Sequence, residues 1–91
     1  MKRKKMLLLY LKKYKMKIKE GMQVRNIIPD FTKPEIDFLL ENCNFTKDEK
    51  ALFELRNDEH SLEECAELMN VSVSTIYRIN SRMNKKIAKV I

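Results

Sequence analysis

The stretch Leu62-Glu63-Glu64-Cys65-Ala66-Glu67-Leu68-Met69-Asn70-Val71-Ser72-Val73-Ser74-Thr75-Ile76-Tyr77-Arg78-Ile79-Asn80-Ser81 decides the fold. Leu62, Cys65, Ala66 and Met69 stand at i, i+3, i+4 and i+7, the spacing of one apolar helix face. Ser61 just before them and Glu64 three places on form a capping box, in which the hydroxyl accepts the third helical N–H and the glutamate reaches back to the cap. Asn70 falls where the chain must turn, and asparagine tolerates the left-handed conformation better than other residues with a side chain. Val71 is an apolar plug, Ser72 or Ser74 can cap a second helix, and Ile76 and Ile79 return to a core. Ala66 is small where two helices would cross closely. The expectation is a short helix, a tight break and a second helix over residues 62–81.

The second helix continues toward the C-terminus. Ile76, Ile79, Met83, Ile87 and Val90 form one apolar stripe, and Ser74, Arg78, Ser81, Lys85 and Lys89 lie opposite, with Arg82 beside them. One side is core; the other carries hydroxyls and cations only.

Working toward the N-terminus, two more capping boxes stand at Thr32-Lys33-Pro34-Glu35 and Thr46-Lys47-Asp48-Glu49. Phe31 and Ile36 are placed for a hydrophobic staple around the first, and Pro34 sits in the first turn, where its missing N–H does no harm. Ile36, Leu39, Leu40 and Cys43 repeat the helical spacing; Ala51, Leu52 and Leu55, broadened by Phe53, give a shorter stripe. Asn42–Asn44 and Asn57–His60 read as turns. Leu7, Leu11, Tyr14 and Ile18 fit a basic amphipathic helix, although residues 14–19 also alternate as a half-buried strand would. Helix over residues 3–19 is the reading adopted, with Gly21 and Pro29 bracketing an irregular connection. One glycine and two prolines in 91 residues argue against a turn-rich β fold. The expected fold class is all-α: a compact bundle of about five helices containing a helix-turn-helix, with no wing. It forms a single domain over 1–91, with a basic helix or arm and connection over 1–30 and a helical core over 31–91.

Charge is segregated along the chain. Residues 1–19 hold nine Lys/Arg and no acid, residues 20–71 hold all 13 acids against five bases, and residues 72–91 hold five bases and no acid. Basic ends around an acidic middle point to a polyanionic partner. Cys43 and Cys65 occupy apolar helical positions and read as buried free thiols. A lone histidine, His60, and no C-x-x-C spacing leave no metal site, and no cofactor is expected. The apolar run Met6–Leu11 is too short for a signal peptide or a membrane span, so a cytoplasmic location is expected and no membrane partner. With no Gly-rich phosphate loop, no nucleophile beside a base and no metal constellation, the chain does not read as an enzyme. Glu63, Glu64 and Glu67 read as a solvent face and His60 as an exposed turn residue. Met6, Met16, Met22, Met69 and Met83 read as core fillers.

Ala66, the turn at Asn70, Val71, Ile76 and Ile79 together resemble the twenty-residue helix-turn-helix signature of bacterial and phage regulators, which prefers glycine where Asn70 stands. More broadly, Phe45-Thr46 through Leu55-Arg56, then Ser61–Glu64 and Val71–Ile76, resemble the promoter-recognition (region four) domain of sigma factors. Response-regulator output domains share this look. The resemblance spans residues 45–90. It implies that the second helix enters the major groove and that positions just inside it, Val73, Ser74 and Arg78, read bases. Arg78 suits a guanine edge and Val73 a thymine methyl. Ser72, Thr75, Tyr77, Arg82 and Lys85 are the expected phosphate contacts. The function implied is sequence-specific binding of double-stranded DNA, as a transcription regulator of a bacterium, phage or mobile element. The alternatives are a protein-interaction module that binds RNA polymerase or another partner, and an accessory factor for recombination. For the N-terminal lysine stripe, a DNA-contacting arm, a homodimerising helix and a membrane-surface helix stay open, beside the simpler reading that Leu7, Leu11 and Tyr14 close the core.

Overall fold

Capping chemistry sets where the helices start. The computed structural model describes the backbone of residues 2–21 and 24–91 and the side chains of 11–21 and 24–91. Its elements are α1 (Lys2–Lys19), a short 3-10 turn (Ile28–Asp30), α2 (Lys33–Asn42), α3 (Lys47–Asn57), α4 (Leu62–Leu68) and α5 (Val73–Val90). All three expected capping boxes form with both of their hydrogen bonds. Thr32 pairs with Glu35, Thr46 with Glu49 and Ser61 with Glu64, the hydroxyl accepting the third N–H and the carboxylate accepting the cap N–H in each. Each box satisfies two amides that the helix start leaves orphaned.

Left-handed residues set where the helices stop. Gly21, Asn44, Glu59 and Asn70 have φ of 76°, 53°, 65° and 56° and follow α1, α2, α3 and α4 respectively. After α3, the Glu59 N–H donates to the Arg56 carbonyl and the His60 N–H to the Leu55 carbonyl, the paired bonds of a Schellman motif. Glutamate gains little in the left-handed region, so the closing bonds hold it there. The Arg56 guanidinium adds a bond to the His60 carbonyl at 2.9 Å.

The apolar stripe of α5 is the spine of the core. Ile76, Ile79, Met83 and Ile87 are buried, and α5 packs against each of the other four helices. Burial of an aliphatic side chain of this size is worth about 2 kcal/mol as an upper estimate. Around the spine lie Leu39 and Cys43 of α2 and its end, Leu52 and Phe53 of α3, and Cys65 and Ala66 of α4. Phe45 lies 5.2 Å from Phe53, ring centre to ring centre. Cys43 and Cys65 are buried free thiols; burial pushes the Cys43 thiol up to about 11 and raises that of Cys65 as well. The protein is thus all-α, and no strand occurs among the described residues.

Three expectations change. The segment between α1 and α2 is more than an irregular connection: Ile27 and Ile28 are buried in the core, and the 3-10 turn packs on α3. The N-terminal segment is no detached arm, because α1 packs on α5. Tyr14 is buried there and donates to the Asn84 side-chain oxygen at 3.0 Å, while Leu11 and Ile18 are half-buried against the core. Over these residues the apolar stripe packs at least in part within the molecule; Leu7 lies outside the described side chains. Among the methionines, Met83 is buried and Met69 half-buried, but Met16 is 63% exposed and is no core filler. Met6 and Met22 lie outside the described side chains.

Candidate nucleic-acid interface

The turn between α4 and α5 is built as the sequence requires. Asn70 adopts the left-handed conformation, its N–H donating to the Glu67 carbonyl at 3.1 Å and the Val71 N–H donating to the Ala66 carbonyl at 2.9 Å. This is again a Schellman closure, and four residues lead from the end of α4 to the start of α5. Ser72 then caps α5: its hydroxyl accepts the Thr75 N–H at 3.2 Å and donates to the Thr75 hydroxyl at 2.8 Å. The Ser74 hydroxyl lies 3.2 Å away. Three hydroxyls therefore cluster at the partly positive end of α5.

Burial of the Ile76–Ile87 stripe forces the opposite side of α5 outward. Ser74, Arg78, Ser81, Arg82, Lys85 and Lys89 are all exposed, and Val73 is 49% exposed. Arg78, Arg82, Lys85 and Lys89 make no salt bridge among the described residues, and α5 contains no acid. From Ser74 to Lys89 this face runs about 22 Å at 1.5 Å per residue. The base-reading candidates Val73, Ser74 and Arg78 share the N-terminal end, and Arg82 and Lys85 continue from it.

The remaining phosphate candidates are less free. Ser72 is committed to its cap and Thr75 is half-buried and bonded to it. Tyr77 leans on α4, donating to the Glu63 carboxylate at 3.2 Å; that hydrogen bond, with the adjacent negative charge, raises the phenol above its ordinary pKa. Its hydroxyl thus bridges α4 and α5 in this structure.

Lys86 differs from the other cations of α5. It reaches across the core boundary to the buried Glu49 carboxylate at 2.5 Å and donates to the Asn44 carbonyl at 2.9 Å. Burial alone would raise the Glu49 carboxyl, but hydrogen bonds from Lys86 and Thr46 and the charges of Lys86 and Arg82 outweigh it and hold it below the usual carboxylate range. Glu49 thus closes the capping box of α3 and also pins α3 to α5. Sequence reading found the first role and missed the second, because nothing local marks a partner 37 residues away.

His60 is partly exposed and lies 3.7 Å from Glu64. Burial lowers the pKa of the Arg56 guanidinium without changing its charge at neutral pH. Among the described residues no three His, Cys, Asp or Glu side chains could together hold a metal ion, and no helix is long and apolar enough to cross a membrane.

Fold and surface together define a small all-α protein whose last helix is both the core spine and a cationic face. No protein-family model, curated protein or solved structure matches this chain.

Proposed function

We propose that the α4–turn–α5 unit is a helix-turn-helix that binds double-stranded DNA with sequence preference, and that α5 is its recognition helix. The observation that carries this reading is the exposed face of α5, where exposed cations and hydroxyls follow a tight left-handed turn on a helix clamped by its opposite side. A B-DNA major groove about 12 Å wide admits one helix, and the residues at its N-terminal end reach base edges. Val73, Ser74 and Arg78 occupy that end. Arg78 offers the planar fork that matches a guanine edge, and the exposed Val73 offers a methyl contact to thymine. Arg82 and Lys85 follow along the same face toward the flanking phosphates. The resemblance to the region-four domain of sigma factors favours a role in transcriptional regulation in a bacterium, phage or mobile element.

Arg78→Ala and Arg82→Ala separate the two kinds of contact. Arg78→Ala is expected to weaken a selected site by about 1–3 kcal/mol and to relax sequence preference at one position; Arg82→Ala is expected to weaken all duplexes alike and to reduce the salt dependence. Binding isotherms on selected and scrambled duplexes measure both. If neither variant changes duplex binding while the fold is intact, α5 is not the DNA-reading element, and a protein partner at the acidic middle of the chain becomes the better reading.

A further inference from the structure

The packing of α1 on α5 builds a groove of which the recognition-helix reading uses only Lys85. Lys15 and Lys19 of α1 and Lys85 and Lys89 of α5 line a cleft of about 450 Å³, with Ile18 and Ala88 among its lining residues. All four lysines are exposed. None makes a salt bridge among the described residues, and no acid lines the cleft. Tyr14 fixes the spacing of the two walls through its bond to Asn84. Four like charges held along one cleft repel one another, an arrangement that costs stability unless a polyanion neutralises it.

Helix length places this cleft relative to DNA. Lys85 and Lys89 share the face of Ser74 and Arg78 and lie about 16 and 22 Å along the axis from Ser74, and about 10 and 16 Å from Arg78, so Lys85 stands near the edge of a major groove about 12 Å wide and Lys89 beyond it. That distance carries α5 out of the groove and onto the sugar–phosphate backbone at its edge. We propose that the α1–α5 lysine cleft is a second binding site that clamps the phosphodiester backbone of the same duplex, at the flank of the bases read by the start of α5. The proposal rests on the DNA-binding reading above and adds α1 to the interface. The ligand is the duplex backbone, so the cleft contributes affinity and salt dependence and no base preference.

The experiment compares two double variants with the wild-type chain. Lys15→Gln/Lys19→Gln removes one wall of the cleft; Lys12→Gln/Lys13→Gln removes the same charge from exposed positions of α1 that do not line it. Binding of a fluorescent random-sequence duplex is titrated with salt, and thermal melting confirms that each variant is folded. Each lost phosphate contact lowers the log–log salt slope by about 0.9. The cleft variant is expected to lower it by about 2 and to weaken selected and scrambled duplexes by the same factor, while the control variant changes the slope by clearly less. Equal effects from both variants would overturn the cleft and reduce it to net charge. If the cleft variant instead loses binding to phosphatidylserine–phosphatidylcholine vesicles and keeps its DNA salt slope, the surface belongs to a lipid and the proposal is wrong. Loss of DNA binding by wild type itself would sink the recognition-helix reading, and the cleft with it. An intact Arg78 effect with no cleft effect would remove the cleft alone.

Discussion

Two helices of the same length and the same sign of charge, α1 and α5, have different jobs in this molecule. Each spans 18 residues and neither contains an acid. In α5 the apolar residues repeat strictly enough that burying them leaves one defined outward face, and four other helices hold that face in place. In α1 the cations outnumber any helical stripe, and the helix is anchored through its C-terminal half by Tyr14, Leu11 and Ile18. Charge alone would nominate both helices as DNA readers. The core behind α5 is what favours it over α1 in the proposed DNA-binding reading, because a recognition helix must be rigid before its side chains can select bases.

The largest test of this contrast is stability. Ile76→Ala in α5 is expected to cost about 3 kcal/mol in urea unfolding, since Ile76 is fully buried. The half-buried Ile18→Ala in α1 is expected to cost about 1 kcal/mol. Equal costs would mean that α1 is as much a part of the scaffold as α5.

Next comes the tie between α3 and α5. Glu49→Gln is expected to cost about 2 kcal/mol at neutral pH, below the range for a fully buried pair because Lys86 is 31% exposed. Its pH dependence has a definite sign. The folded-state pKa of Glu49 is depressed, so its ionised form contributes fully above the unfolded value of about 4.3. That contribution is lost as pH falls through the lower folded value. Wild type and Glu49→Gln should therefore converge in acid-unfolding curves below about pH 4. Parallel curves would show that the Lys86 contact does not bear on stability.

Smaller effects belong to the turn and to the anchor of α1. Asn70→Val should destabilise by about 1–2 kcal/mol, because a β-branched residue resists the left-handed region. Asn70→Gly should leave stability within a few tenths of a kcal/mol or raise it slightly. Thermal melts of the pair separate backbone conformation from side-chain contacts; a large loss in Asn70→Gly would mean that the asparagine side chain matters. Tyr14→Phe, which removes only the bond to Asn84, should cost about 1 kcal/mol or less.

Legibility followed sequence distance. The capping boxes were readable because each pair lies three residues apart, and Asn70 was readable because its chemistry matches one backbone conformation. The two faces of α5 followed from periodicity. Tyr14 with Asn84 and Glu49 with Lys86 join residues 70 and 37 positions apart, which no local pattern encodes. Ile27 and Ile28 were hidden in a segment without periodicity, and the bond of Tyr77 to Glu63 was hidden because its partner sits on the preceding helix. Met16 shows the converse: its apolar character suited a core that the helix turns away from.

Selection from a random duplex pool by the full chain, followed by salt titration of the enriched site, is the most direct test of α5 as a recognition helix. An enriched motif whose affinity falls steeply with salt, and whose preference relaxes at one position in Arg78→Ala, is the expected result. A folded protein that enriches no sequence, and whose weak residual binding is wholly salt-dependent, would contradict it.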